Sequence, residues 1–572
     1  MAEALKRFRL VRFALFFFFG LILVFSIRLQ VIDGRKYYRL SEENRIKKKF
    51  VPAPRGIIYD REGRVIANSR PGFYVSVIPA LVDDQSLSAL ARILKIELTA
   101  IKDKMAMEKN PYISVKIAHD IEFGQLSIIE ELHENLTGVE VGVEPVRNYP
   151  YKAALAHLIG YVGEATSKEL RSTDDYIIGD YIGRMGIEAQ YESKLKGTNG
   201  IEYIEVDARG REVGDVLDKR PVPVIPGNDL YTTIDLALTE STATYLSDYE
   251  RAAAVVIVPS TGEVLVLYSK PGFDPNGFIH GLRYDEWQLL YNSPDACMYN
   301  RAIMSCYPPG STFKPFVALS ALDAGMVTEN RYFESCAGSY RLGNRRFGCW
   351  KKHGRLPLVD AIIQSCDVYF YQLGRFTGVD TIASRSAAAG FGKKTGIDLP
   401  QEKAGIMPDR AWFVSRYTKY WTEGHVLNLS IGQGDLLVTP LQLACSYLVF
   451  ANDGTIPIPH LVLGAKSMFR KTGLSREAIE VVKKGLFGVV AAGTGVLARV
   501  ENIEVGGKTG TAENPHGDDH SLFVGYAPVE HPDILVCIVV ENAGHGGSVA
   551  APIAGRIMKV YFANKDSVHG SN

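Results

Sequence analysis

The sequence predicts an α+β protein of more than one domain, held behind a single N-terminal membrane-spanning helix. Three observations predict it. A chain of 572 residues exceeds what one hydrophobic core supports and calls for two or more domains. Leu10 to Leu29 is apolar except for Arg12 and Arg28 near its ends. Beyond that run, alternating strand patterns and helical runs are interleaved, with no low-complexity tract and no clear internal repeat. The chain carries 64 basic and 64 acidic residues, and this balance argues against a nucleic-acid binder, which would show a basic face.

Each element can be justified in order. Twenty helical residues rise about 1.5 Å each and span roughly 30 Å, the thickness of a bilayer's hydrocarbon core. Lys6, Arg7, Arg9 and Arg12 precede most of the apolar run, which places the N-terminus in the cytoplasm and the rest of the chain outside. Arg28-Leu29-Gln30 follows where a signal peptide would show an Ala-x-Ala-like site, so residues 1–29 are expected to be an uncleaved stub and anchor. Residues 30–225 then form a strand-bearing pedestal. It contains an alternating strand at Gly72–Ile78, a helical stretch from Asp84 to Lys104, and strand and loop composition from Val139 to Tyr161. Asp60-Arg61 reads as a structural ion pair and His157 as a satisfied core histidine. The three prolines of Pro221 to Pro226 mark a boundary linker. After it, Asp235 to Tyr249 is predicted helical, and Ala253–Val258 and Val264–Tyr268 form a hairpin about Ser260-Thr261-Gly262. Leu358 to Leu373 reads as one helical run, and the second domain spans 226–563. The polar end, 564–572, is expected to be disordered.

The chemistry is concentrated in Ser311-Thr312-Phe313-Lys314, preceded by Pro308-Pro309-Gly310. Residues i and i+3 share a helix face, so the Lys314 amine can come within reach of the Ser311 hydroxyl. A serine needs such a base to act as a nucleophile, and a lysine serves only when burial or a neighbouring cation lowers its pKa. A helix start also aims backbone N–H groups at a developing oxyanion. Alone, Ser-x-x-Lys is a weak signal. Ser365-Cys366-Asp367 follows about fifty residues later, and Lys508-Thr509-Gly510-Thr511 lies far downstream. That order of three motifs is the signature of penicillin-binding proteins and class A β-lactamases.

On these motifs the chain resembles the penicillin-binding protein transpeptidases. The likeness extends through Ser430-Ile431-Gly432-Gln433-Gly434 and Gly546-Gly547-Ser548, and upstream through Pro54-Arg55-Gly56-Ile57-Ile58-Tyr59-Asp60-Arg61, Arg147-Asn148-Tyr149-Pro150 and Gly183-Arg184-Met185-Gly186-Ile187-Glu188. The upstream segments resemble the non-catalytic module of class B enzymes. Asp367, where division-specific relatives usually carry Asn, places the likeness with the elongation-specific penicillin-binding protein 2. The resemblance implies an antiparallel sheet flanked by helices. It implies acyl transfer from the D-alanyl-D-alanine end of a peptidoglycan stem peptide through a Ser311 acyl-enzyme, with β-lactams as mimics and no cofactor for the chemistry. Lys314 would accept the serine proton and Ser365 would relay it to the leaving amine. Lys508 would add positive charge, and Thr509, Gly510 and Thr511 would hold the substrate carboxylate and complete the oxyanion hole. An ionised Asp367 cannot donate as Asn does and is expected to pair with a lysine instead. The implied partners are the membrane, a membrane-embedded glycan polymerase and rod-shape scaffold proteins. A β-lactam sensor, a non-catalytic polymerase activator and a D,D-carboxypeptidase are the competing readings.

The cysteines add a separate inference. Cys336, Cys349 and Cys366 surround His353 in the pattern Cys-x12-Cys-x3-His-x12-Cys. Three thiols and one imidazole are a common structural zinc set. A Cys336–Cys349 disulfide or unrelated buried thiols satisfy the same spacing. A second cluster, His516-Gly517-Asp518-Asp519-His520, is rich in turn residues and reads as a rim loop. Gly432-Gln433-Gly434 lacks the Lys-Ser/Thr of a phosphate loop and reads as a tight turn lining the cleft.

Overall fold

The computed structural model describes residues 2–108, 111–173, 175–176, 179–207, 212–216, 219–279, 281–282, 284–515 and 517–569. The chain opens on the helix Ala2–Ile27, which continues through the π turn Arg28–Ile32. Its stretch Leu5–Ile32 has a mean hydropathy of 2.5 and none of its apolar window is buried. Phe16 to Phe19 are all exposed.

The chain divides into two compact units, neither continuous in sequence. The first comprises 1–55, 69–146 and 196–227, and the second comprises 56–68, 147–195 and 228–572. The last crossing between the units falls after Gly227, and two segments upstream of it, 56–68 and 147–195, group with the second unit. Buried polar contacts hold them there. Arg147 Nε donates to Glu188 Oε1 at 2.6 Å and its Nη1 donates to the Gly56 carbonyl at 2.7 Å. Tyr149 exchanges two hydrogen bonds with the Asn276 side chain, at 2.9 and 3.0 Å. His157 Nε2 meets the Cys297 carbonyl at 2.8 Å, the satisfied core histidine expected. Asp60 pairs differently from expectation: it accepts from Arg64 Nε at 2.7 Å, while Arg61 reaches Glu263 at 3.6 Å.

In the first unit, Ile46–Val51, Gly200–Val206 and Glu212–Asp215 form an antiparallel three-stranded sheet in that order. Pro221–Pro226 is pinned rather than loose, because Val222 and Ile225 exchange backbone bonds with Ile201 and Thr198. A second layer pairs Phe73–Val77 with Val115–Ile121 and covers them with the helices Asp84–Leu94, Leu98–Met107 and Phe123–Glu131. Their apolar faces meet through Val75, Leu90, Ile101, Ile117 and Ile129. The predicted single helix from Asp84 is therefore two, separated at Lys95, which takes the left-handed conformation (φ 56°).

The second unit is built on a fully antiparallel five-stranded sheet. Its spatial order is Val264–Lys270, Ala252–Ile257, Ile534–Val540, His520–Ala527 and Gly506–Ala512. The helices Leu236–Tyr245 and Ala550–His569 cover one face through Val256, Leu265, Ile538, Ala554 and Ile557. Pro440–Ala451, every residue of it buried, covers the other face and packs Tyr447 edge-on and Phe450 at a tilt against Phe316. The predicted α+β class and the hairpin after Ala252 are present. The final helix runs to His569, so 564–569 are helical where a disordered tail was expected, and 570–572 lie outside the described residues. The strand Gly506–Ala512 is an edge strand, paired on one side only, which leaves its other side free to border a cleft.

Candidate active site

Three local devices bring the motif residues to that edge. The first is a 3-10 turn, Gly310–Phe313, that feeds directly into the helix Lys314–Asp323. Gly310 has φ 54°, and a Cβ there would lie 2.4 Å from the Thr511 carbonyl oxygen. Gly432 has φ 75°, and its Cβ would lie 2.0 Å from the Gly310 carbonyl. Only glycine tolerates both the conformation and the approach. The turn is further pinned by Thr312 Oγ1, which donates to Pro309 O at 2.6 Å, and by Tyr447 OH, which donates to Thr312 O at 2.6 Å.

The second device is a helix break. The run predicted as one helix from Leu358 to Leu373 is two, Leu358–Ile363 and Asp367–Thr377. Between them Ser365 takes φ 54°, a strained conformation for a residue with a side chain, worth about 1–3 kcal/mol. The break turns Ser365 Oγ inward and makes Asp367 the first helical residue, where the helix dipole favours a carboxylate.

The third device is strand alternation on Gly506–Ala512, which sends Lys508 inward. Lys314 and Lys508 are both fully buried and Ser365 is nearly so. Ser365 Oγ lies 3.1 Å from Lys314 Nζ and 3.0 Å from Lys508 Nζ, bridging the two amines. Lys314 also donates to Asp367 Oδ1 at 2.7 Å and to Ser365 O at 2.8 Å. Asp367 thus has the lysine partner expected of it. As an ammonium, Lys314 spends all three donors on these acceptors. Among the described residues the Ser311 hydroxyl is not one of its partners, contrary to the simple i, i+3 expectation, because a carboxylate outcompetes a hydroxyl for the cation. Burial, and after it the charge on Lys314, hold Lys508 well below the usual lysine range.

Further along the strand, Thr509 Oγ1 lies 2.7 Å from Thr494 Oγ1, and Thr511 O accepts from Gln433 Nε2 at 3.1 Å. Gln433 sits in the turn expected to line the cleft, and there it ties the Ser311 side of the site to the Lys508 strand. Thr494 and Tyr447 carried no sequence signal, since both act through tertiary contact alone.

The cysteine cluster forms beside Ser365. Ligand atoms of Cys336, Cys349, His353 and Cys366 all lie within 4.8 Å of one another. His353 Nδ1 is 3.7 Å from Cys336 Sγ and 3.5 Å from Cys349 Sγ. All seven cysteines are free thiols. The neighbouring Cys366 thiol, by hydrogen bonding, lowers Cys349 towards its thiolate form. The second cluster does not converge in this way. His516 lies outside the described residues, and His520 Nδ1 accepts from the Asn542 N–H at 3.2 Å beside the Tyr307 ring.

Two buried lysines sharing one serine, next to a Ser-x-x-Lys turn, match a family found by comparison. Residues 252–559 match the penicillin binding protein transpeptidase domain, and 50–232 match the penicillin-binding protein dimerisation domain. The chain is a penicillin-binding protein transpeptidase. It is similar to the peptidoglycan D,D-transpeptidase MrdA of Escherichia coli strain K12, with 33% identity over 94% of this chain and 92% of that one. The MrdA of Acinetobacter baumannii is also 33% identical, over 95% and 86%. Among solved structures, penicillin-binding protein PBP2 of Helicobacter pylori in complex with MreC superposes with a TM-score of 0.81 at 27% identity, covering 90% of this chain and all of that one. Pseudomonas aeruginosa PBP2 in complex with WCK 5153 gives 0.68 at 32% identity, covering 90% and 96%. This penicillin-binding protein therefore shares both modules with the PBP2 proteins, as the Asp367 motif implied.

Proposed function

We propose that this penicillin-binding protein is a peptidoglycan D,D-transpeptidase of cell-wall elongation, anchored by its N-terminal helix with the catalytic unit outside the cytoplasmic membrane. The observation that carries the reading is Ser365 Oγ placed between Lys314 and Lys508 at 3.1 and 3.0 Å. Ser311 Oγ attacks the carbonyl carbon of the penultimate D-alanine and yields its proton to the Lys314 amine, which has first passed its own extra proton through Ser365 Oγ to the neutral Lys508 amine. That proton passes through Ser365, a group that both donates and accepts, to the departing D-alanine amine. An ester on Ser311 remains. An amine from a second stem attacks it, gives up a proton along the same path, and restores the serine hydroxyl. Backbone N–H groups of Ser311 and Thr511 receive the oxyanion, and one such donor is worth roughly 3–4 kcal/mol of barrier. Lys508, with the Thr509 and Thr511 hydroxyls, draws the terminal carboxylate. Labelled penicillin should form one adduct, on the peptide containing Ser311, and none with Ser311→Ala. An adduct elsewhere, or none with the intact protein, overturns the reading.

The protein's partners in this role are the membrane, a membrane-embedded glycan polymerase and rod-shape scaffold proteins; the Helicobacter pylori relative forms a complex with MreC. The chemistry needs no cofactor.

A structural zinc ion held by Cys336, Cys349, His353 and Cys366 belongs to the same proposal. Bonds of about 2.3 Å to sulfur and about 2.1 Å to nitrogen in a tetrahedron put S and N about 3.6 Å apart. The distances from His353 Nδ1 to the two sulfurs, 3.7 and 3.5 Å, fit that figure. Such an ion would tie the loop before Trp350 to Cys366 and so hold the strained Ser365. Purified protein should contain one zinc per chain by elemental analysis, and its removal should lower both Tm and acylation rate. Protein with full activity and no stoichiometric zinc refutes it.

A further inference from the structure

The antiparallel hairpin Ser339–Leu342 and Arg345–Gly348 leads into the Cys349–His353 loop. Residues 339–355 carry six Lys and Arg and no Asp or Glu, in a chain whose totals are 64 against 64. Arg341, Arg345, Arg346, Lys351, Lys352 and Arg355 are all exposed. Among the described residues none of the six has a carboxylate partner. Arg341 Nε donates to Gly343 O at 3.1 Å, Lys351 lies over Trp350 and Arg355 over Tyr332.

Register sharpens the point. Arg341 pairs directly opposite Arg346, a like-charge cross-strand pair that works against the hairpin unless an anion lies between. The neighbouring pair, Tyr340 and Phe347, turns to the other face and meets the Tyr371 ring. Alternation therefore points Arg341 and Arg346 away from the helix Asp367–Thr377. The hairpin is nevertheless fastened to the catalytic segment. Tyr371 OH donates to Gly348 O at 3.0 Å, and Trp350 Nε1 donates at 3.2 Å to the carbonyl of Gln364, the residue before Ser365. An uncompensated cationic face is thus fastened to the segment that carries Ser365. A solvated face alone would need neither the opposed arginines nor that attachment.

We infer that the Arg341/Arg346 face binds side-chain carboxylates of the acidic peptide strand delivered to Ser311. This rests on the transpeptidase reading and names how that site selects its substrate. The terminal carboxylate belongs to the Lys508 strand, so the hairpin reads carboxylates further along the peptide. The planar guanidinium forks suit carboxylates, and their attraction should weaken as salt shortens its range.

The test compares the full-length protein with R341Q/R346Q, using a stem-peptide substrate with free side-chain carboxylates and the same peptide with those carboxylates amidated. With the native protein, amidation should raise KM about tenfold with kcat little changed, and added salt should shrink that gap. In R341Q/R346Q the two peptides should have equal KM. An undiminished preference for the free acid in the variant, or no preference in either protein, overturns the inference. The second result would leave the face to an acidic protein partner. Labelled penicillin, which has no carboxylate beyond its mimic of the peptide terminus, should acylate both proteins at the same rate. Loss of that acylation in the native protein would instead refute the transpeptidase reading itself.

Discussion

Lys508 is a fully buried amine whose partners are one serine hydroxyl and one backbone carbonyl. Desolvation makes its charged form costly, and the charge on Lys314 adds to that. The sign for stability follows. In the unfolded chain the amine is protonated below about 10.5, whereas in the folded chain it resists protonation until lower pH. The unfolded state therefore binds more protons in that window, and stability falls as pH falls through it, by about 1.4 kcal/mol per pH unit. Lys508→Met should remove that slope and unfold at higher denaturant concentration than the native protein at neutral pH. The same change should cut acylation by labelled penicillin by about 100-fold or more. Denaturant unfolding at several pH values checks the first part, and a variant no more stable than the native chain contradicts it.

At the scale of elements, the site depends on how closely the Gly310–Phe313 turn approaches the strand Gly506–Ala512. That spacing is set at the backbone, by Gly310 against Thr511 and by Gly432 against Gly310. Gly432→Ala would need to move the turn by more than an ångström, and displacement of that size costs roughly 100-fold in rate. Gln433→Ala removes one hydrogen bond and leaves the approach intact, so a loss of about tenfold is expected. Acylation rates with labelled penicillin should fall in that order, and the reverse order would show that the side-chain bond rather than the glycine contact sets the spacing.

At the scale of the molecule, the second unit recruits Gly56–Asn68 and Arg147–Leu195 through buried polar groups, and these respond to acid. His157 is buried among them, and desolvation lowers its pKa to about 4. Its unfolded value is near 6.5, so the unfolded chain gains a proton first as pH drops. Stability should be lost between about pH 6.5 and 4, amounting to about 3 kcal/mol from this group alone. His157→Gln should flatten that part of the profile in the detergent-solubilised chain, even if it unfolds earlier at pH 8. An unchanged acid slope would place the sensitivity in other groups.

The sequence by itself determined the apolar anchor run, the α+β class and the hairpin after Ala252, and it singled out Lys314, Ser365, Asp367 and Lys508, which the fold brings together. Those features are local: a hydropathy run, an alternation period, or a residue type at a fixed spacing. It also singled out Cys336, Cys349, His353 and Cys366 as one group, whose ligand atoms the fold brings within 4.8 Å of one another. Tertiary structure decided the rest. The helix break at Ser365 was invisible because Leu358 to Leu373 has helical composition throughout, and only the packing of two helices around the lysines supports a left-handed serine there. Lys314 met Asp367 rather than Ser311 because a carboxylate 53 residues away in the chain arrives at 2.7 Å. The discontinuous units, the bond from Gln433 to the Thr511 carbonyl and the pairing of Thr494 with Thr509 likewise depend on contacts between distant segments. Desolvation and hydrogen-bond competition act between neighbours in space, and periodicity along a chain does not record them.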